Sequence, residues 1–502
     1  MRFFDKASQD PRWAGAMNAV ALVFFCAFVL GPLFYIFSQI GHFTFNDGMR
    51  NAIIASFSIG LAVTLVDLAF GIPLAWLLAK KKFPLKGVLD AIVDLPLIVP
   101  TSALGLSITL FWGTGGLGLF EPGIAAIIVL HIAFTFSYVV RTTQAAIMEV
   151  DSDLARAAGT LGASPLTSFR TLWLPLVRAG ALSGAVLAFT RSLGETGATM
   201  IAAGTLRTVP ILTVYYKNAT PADIDAAISL SAVFLLLSAA LFLLVRSKLN
   251  VKRATLGRVY ADAEKRLSSY GWLSDGVALA FLLGIVLLPS FWFLRFTNFD
   301  FFAARTIDAI LVSFGVAAAA TLLTIAFGLP LALLITDKRK YSWLLRLLVE
   351  LGMVMPTVTI GLSLSLFWAG KLDEVFVLVF AHVAMIYPFF VSPVAEILSE
   401  TDENLVQVAR SLGAKPFYAF RTVVLPIIWP TVIAGTVVAF MKSVSETGGT
   451  LAVSKNIETI PLLIVNLTKN GQQAEAASAA VLLLAVSLVF VMVLRGSQRK
   501  KP

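Results

Sequence analysis

Long apolar runs separated by short polar loops dominate the chain. A first group lies near 14–40, 51–79, 88–112, 123–145, 174–203 and 223–245. A second lies near 272–294, 307–335, 343–369, 374–397, 425–453 and 475–495. Each run is long enough, at ~20 residues, to cross a bilayer as a helix. The runs are continuously apolar, whereas barrel strands alternate over ~10 residues, so the pattern predicts helices. The expected fold is an all-α integral membrane protein with about twelve transmembrane helices in two parallel six-helix repeats.

The polar segments carry the repeat most clearly. EVDSDLARAAGTLGASPLTSFRTLWLP (Glu149–Pro175) returns as ETDENLVQVARSLGAKPFYAFRTVVLP (Glu400–Pro426), without a gap and with 13 of 27 positions identical. AFGIPLA (Ala69–Ala75) returns as AFGLPLA (Ala326–Ala332), and PTSALGLSITLFW (Pro100–Trp112) as PTVTIGLSLSLFW (Pro356–Trp368). RSLGETGAT (Arg191–Thr199) returns as KSVSETGGT (Lys442–Thr450). Six passes is an even number, so both halves should share one orientation. The halves are expected at 1–245 and 271–502, joined by a linker at 246–270 that is basic from Arg246 to Arg266.

Charge orients this pattern. The formal net charge is +10, and Lys and Arg sit in short loops between apolar runs. KKKFPLK (Lys80–Lys86), RSKLNVKR (Arg246–Arg253), DKRK (Asp337–Lys340) and the C-terminal RKK fall on one side, with both termini and both polar repeats. That side is expected to be cytoplasmic. The basic balance is read as membrane orientation rather than nucleic-acid binding. The run from Ala14 is read as a retained first helix, not a signal peptide. Only the last residues, from Arg495, look disordered. Cys26 is the one cysteine, so no disulfide within the chain and no cysteine metal site are expected.

The polar repeat reads as helix, sharp turn, short helix. Asp151, Ser152 and Asp402 suit helix starts. Gly162 and Gly413 suit the left-handed position that ends that helix. Pro165 and Pro416 suit the first turn of the next helix, with Ser164 as a cap in the first copy. Pro175 and Pro426 should begin the return into the membrane. A duplicated, structured polar loop suggests two equivalent docking sites for a soluble partner.

The pattern resembles the EAA loop of binding-protein-dependent ABC importer permeases. It reads Arg156-Ala157-Ala158, Gly162 and Leu174-Pro175 in one copy, and Gln407-Val408-Ala409, Gly413 and Leu425-Pro426 in the other. The family's eponymous glutamate is Arg156 and Gln407 here. The resemblance implies that Ala163–Phe169 and Ala414–Phe420 are coupling helices inserting into ATPase subunits. It makes Ala157, Ala158, Ala163, Pro165, Ala409, Ala414 and Pro416 part of that surface. It implies two copies of an ABC ATPase carrying the ATP and Mg, an external solute-binding protein, and a prokaryotic cytoplasmic membrane. No cofactor or metal is expected in this chain.

Two glutamates fall inside apolar runs, Glu195 and Glu446. A carboxylate there is costly and points to function. Arg191 and Lys442 stand one helical turn earlier and could neutralise them. Either the pairs line a pathway or they are local bridges that orient helices. Importers for sulfate, molybdate, thiamine and ferric iron have a similar Gly-Glu-Phe-Gly stretch, whereas phosphate permeases resemble Gly-Glu-Thr. Pro100-Thr101 and Pro356-Thr357 are expected to kink helices three and nine beside the pathway. His131 and His382 correspond between halves and suit either helix-bridging hydrogen bonds or a metal or substrate role.

GTGGLG (Gly113–Gly118) fits a dinucleotide fingerprint in letters but follows no strand. The chain contains no GxxxxGK[ST] and no nucleophile–base cluster. It is expected to be the transport subunit of an ATP-driven importer, not an enzyme. The substrate would be a small solute such as ferric iron, thiamine or an oxyanion. The rival is an ion-gradient-driven secondary transporter with parallel repeats.

Overall fold

The computed structural model describes residues 11–220, 223–249, 260–301, 303–336 and 342–498. Residues 250–259 of the linker, the DKRK loop and the final RKK lie outside them. The first half comprises α1 (Asn18–Ser38), α2 (Asp47–Lys80), α3 (Lys86–Ile98), α4 (Thr101–Trp112), α5 (Ile124–Glu149), α6 (Ser152–Thr160), α7 (Pro165–Gly194), α8 (Gly197–Ala202), α9 (Val209–Ala219) and α10 (Ile224–Leu249). A linker helix, α11 (Ala261–Ser268), follows. The second half repeats the order as α12 (Gly271–Phe296), α13 (Ala304–Thr336), α14 (Ser342–Leu351), α15 (Thr357–Trp368), α16 (Glu374–Glu400), α17 (Glu403–Ser411), α18 (Phe417–Val444), α19 (Gly448–Val453), α20 (Ile460–Lys469) and α21 (Gln473–Gln498).

The protein is an all-α membrane protein built from two parallel repeats. Among the described residues nine helices are long and apolar enough to span a bilayer, and the bent pair α3–α4 makes a tenth. Their counterparts α14–α15 and the 26-residue α21 complete six passes per half. The tail expected to be disordered from Arg495 is helical through Gln498.

Four of the expected runs are broken rather than continuous. The 88–112 run turns by 103° between α3 and α4. Pro100 forces the break, because it has no N–H to donate and drives Val99 into an extended conformation (ψ 127°). Pro356 stands at the same place before α15. These prolines therefore end helices, where sequence reasoning expected kinks. The 174–203 run breaks at Glu195 and Thr196, and its counterpart at Ser445 to Thr447.

Pro175 and Pro426, expected to begin the return into the membrane, do not start a separate helix. Instead the short helix at Pro165–Ser168 runs into Leu174–Gly194 through one wide turn, Phe169–Trp173. The second half does the same through Phe420–Val424. Leu174 N–H bonds to Phe169 O, five residues back. This widening carries the helix past a residue that has no N–H of its own.

The three helices α2, α5 and α7 pack closely, as do α13, α16 and α18. Lipid is as apolar as leucine, so association here rests on close packing. Gly184 of α7 brings that helix against Val139 and Thr142 of α5. The first helix of each half packs on the other half: α1 against α13 and α15, α12 against α2 and α4. Phe24 of α1 stacks on Phe327 at 3.9 Å between centroids, and Phe281 of α12 stacks on Phe70 at 4.1 Å. Both are the same contact, made once by each half. The short helices α9 and α20 cross over likewise, onto α15 and α4. The halves interlock and meet along a seam.

Candidate functional site

The two polar loops share one backbone design. Asp151 accepts from Asp153 N–H and Asp402 from Asn404 N–H, both at 2.9 Å, so each caps its helix. At the other end Gly162 has φ +83° and Gly413 φ +86°. Gly162 N–H bonds to Gly159 O, and Ala163 N–H to Ala158 O. Gly413 and Ala414 bond to Arg410 O and Ala409 O in the same way. This is a Schellman ending, which only glycine enters without strain. Ser164 then accepts from Thr167 N–H at 3.2 Å to start α7, with Pro165 in its first turn.

These loops project large apolar side chains at equivalent places. Leu161 is 87% exposed and Leu412 83%. Leu154 and Leu405 are exposed too. Arg156 is exposed and ion-paired with Asp153, while Gln407 is exposed. Ala157 is exposed, and Ala158, Ala163, Ala409 and Ala414 are half-buried.

The loops are not supported alike. Glu264 of α11 is buried against the first loop. It accepts from Thr167 Oγ1 at 2.6 Å and from Arg170 Nε at 2.9 Å. The Thr167 hydroxyl first, and then Arg170 and the Tyr260 N–H, hold its carboxyl below the ordinary value.

The seam contains the second candidate site. Arg191 and Glu195 pair at 2.7 Å, as expected. Lys442 and Glu446 do not approach within 4.0 Å; Lys442 lies over the Phe389 ring instead, 5.2 Å from its centroid. Both carboxylates also bind backbone freed by the helix breaks. Glu195 accepts from Ala198 N–H at 3.3 Å and Glu446 from Gly449 N–H at 3.0 Å.

The residues that meet across the seam are not the glutamates but their neighbours. A Cβ placed on Gly448 would lie 2.6 Å from Thr196 Oγ1 and 2.6 Å from Thr357 Oγ1. One placed on Gly197 would lie 2.6 Å from Thr447 Oγ1. Each threonine thus rests on the other half's glycine, and the contact closes the seam. A cavity of about 340 Å³ lies between residues of the two halves nearby. Arg191, Lys442, Tyr138, Phe389 and Thr101 line it, with Asp94 at its rim held by Arg141. Thr357 lines a smaller recess with Glu446, Arg191 and Lys442.

His131 and His382 are fully buried and do not face one another as a pair. His131 Nδ1 meets Ser192 Oγ at 2.7 Å and Nε2 meets Thr199 Oγ1 at 2.9 Å. His382 meets Ser443 and Thr450 at 2.8 and 3.1 Å. Each imidazole therefore joins the two pieces of a broken helix, which is the helix-bridging alternative. Sequence reasoning did not single out Tyr138, Glu264 or Asp67. Asp67 is buried in α2 and bonded to Thr135 at 2.6 Å. A lone carboxylate within the 51–79 run was its signal.

A family model described as the binding-protein-dependent transport system inner membrane component matches residues 71–253 and again 324–500. The chain is 30% identical over 236 residues to the molybdate/tungstate transport system permease protein WtpB of Methanocaldococcus jannaschii, covering 45% of this chain and 93% of that one. It is 26% identical over 460 residues to the Fe(3+)-transport system permease protein FbpB 2 of Haemophilus influenzae, covering 87% of each. It is 31% identical over 257 residues to the sulfate transport system permease protein CysT of Salmonella typhimurium, covering 47% of this chain and 91% of that one. Single-domain relatives match one half and the Haemophilus relative matches both. The chain belongs to the binding-protein-dependent transport system inner membrane components, with two copies of the family domain fused in one polypeptide.

Proposed function

We propose that this chain supplies both halves of the transmembrane pathway of an ATP-driven importer, and that two ABC ATPase subunits dock on its polar loops. One observation carries this reading. Two capped, Schellman-ended loops present Leu154 and Leu161, and again Leu405 and Leu412, on an uncovered surface. Exposed leucines at matched positions favour a partner that covers each loop. The loop side would then be cytoplasmic, which agrees with the basic KKKFPLK loop beside it. A binding protein would deliver solute at the opposite face. The ATP and Mg would reside on the ATPases, and the membrane would be the prokaryotic inner membrane.

Closure of the ATPases would draw the loops together and tilt α7 and α18. The Thr196–Gly448 and Thr447–Gly197 contacts lie at the far ends of those helices and would part. Cavity access would switch from the loop side to the opposite side.

The test is uptake by the purified chain in liposomes. Uptake should require the ATPase and ATP. Uptake driven by a proton or sodium gradient with no ATPase present would overturn the reading in favour of a secondary transporter.

A further inference from the structure

We infer that the seam cavity is a transit site for a small oxyanion, recognised by Lys442, Arg191 and the Tyr138 hydroxyl. This rests on the importer reading and adds the charge of the cargo to it. The argument begins with what faces the cavity. Its lining carries two cations, one from each half, and several hydroxyl-bearing side chains. Arg191 and Lys442 occupy the last turns of α7 and of the helix ending at Val444, where the carbonyl ends favour positive charge.

The nearby carboxylates are already engaged and do not line the cavity, apart from Asp94. Glu195 is 4% exposed and spent on Arg191 and the Ala198 N–H. Glu446 binds the Gly449 N–H and lines the smaller recess, which Arg191 and Lys442 also border, rather than the cavity. Asp94, the one acid lining the cavity among the described residues, is engaged by Arg141 at 2.7 Å. Among the described residues no carboxylate lies within 4.0 Å of Lys442. Tyr138 is its electrostatic neighbour across the seam.

The aromatic faces give the same sign. A cationic cargo could use rings, but Arg191 already lies over Phe134 at 5.5 Å and Lys442 over Phe389 at 5.2 Å. A cation entering would meet two fixed cations on occupied rings. An oxyanion would meet a planar guanidinium, an ammonium and a phenol, donors that match its oxygens. Tyr138 and Phe389 are equivalent positions, so the phenol hydroxyl adds a donor in one half only.

The test reads the cavity's field directly in the full chain. Replace the native thiol with Cys26→Ser and introduce Ser445→Cys, which lines the cavity. Compare modification by anionic and cationic methanethiosulfonates of similar size. The anionic reagent should react about tenfold faster. Millimolar molybdate or sulfate should slow it, and chloride at equal ionic strength should not. Lys442→Gln should remove the preference and Lys442→Arg should keep it. A faster cationic reagent, no protection by either oxyanion, or equal protection by chloride would overturn the inference. If Ser445→Cys does not fold, Thr101→Cys reports on the same cavity. No ATPase enters this assay, so its failure is separate from that of the importer reading, which ATP-dependent uptake decides.

Discussion

Glu264 Oε1 accepts from Arg170 Nε at 2.9 Å, tying the linker helix to the first polar loop, and among the described residues the second loop has no equivalent tie. Arg421 is the counterpart of Arg170. It lies over the ring of Tyr418, 5.8 Å from the centroid, where the first half has Thr167. Two loops with one backbone design thus differ in what holds them.

Glu264→Gln should loosen the first loop alone. Amide exchange at 167–171 should rise about tenfold, while 418–422 stays unchanged. The sign of the pH effect follows from the depressed carboxyl. The bridge contributes fully above the ordinary glutamate value of ~4.3 and is lost as pH falls through the lower folded value. Intrinsic-rate-corrected exchange should therefore be flat from pH 8 to about 5. Equal loosening of both loops would remove the proposed asymmetry.

Gly162 and Gly413 have open space around a built Cβ, so their constraint is φ alone. A β-branched side chain there costs roughly 1–2 kcal/mol or more per site. Gly162→Val with Gly413→Val should lower ATPase association measured by co-purification, while the melting of the membrane core stays near wild type. Wild-type association would show that the left-handed turn does not aim the loop.

The two glutamates should respond unequally. Gln at 195 can still accept the Ala198 N–H but loses the pair with Arg191. The cost is on the order of 1–3 kcal/mol, below the ~3–5 of a wholly buried pair because Arg191 is partly open to the cavity. Glu446→Gln breaks no ion pair and should cost under ~1 kcal/mol. Thermal unfolding of the two single variants checks the order. Equal losses would mean that Lys442 and Glu446 pair in solution.

Filling the seam should hold it open. Gly197→Ala with Gly448→Ala places methyl groups against Thr447 and Thr196. Basal ATPase activity should lose its dependence on binding protein. A cysteine at Thr357 should become reactive from the face opposite the loops. Wild-type accessibility would place the closure elsewhere.

The sequence made the loops legible because their chemistry is local. A cap, a left-handed glycine and a first-turn proline each act within a few residues, and Asp151, Gly162 and Pro165 took the expected places. The passes were legible from apolar length alone. The breaks at Glu195 and Glu446 were not, because apolar composition continues through them. The structure shows that the two glutamates accept from the freed backbone N–H groups, while each buried histidine bridges the break through side-chain hydroxyls. Glu264 was hidden because its partners lie nearly 100 residues away and in one half only.

The wide turn before Pro175 has a thermodynamic consequence. From Pro165 to Gly194 the chain is one helix of 30 residues, ~45 Å long. One end starts in the polar loop and the other ends beside the Thr196–Gly448 contact. One continuous helix links the two ends as a single two-position element. By reciprocity, whatever factor a soluble protein at Pro165 imposes on the affinity of a solute at Arg191, that solute must impose on the soluble protein. An occupied cavity would then be felt at the loop, without any intermediary element between them.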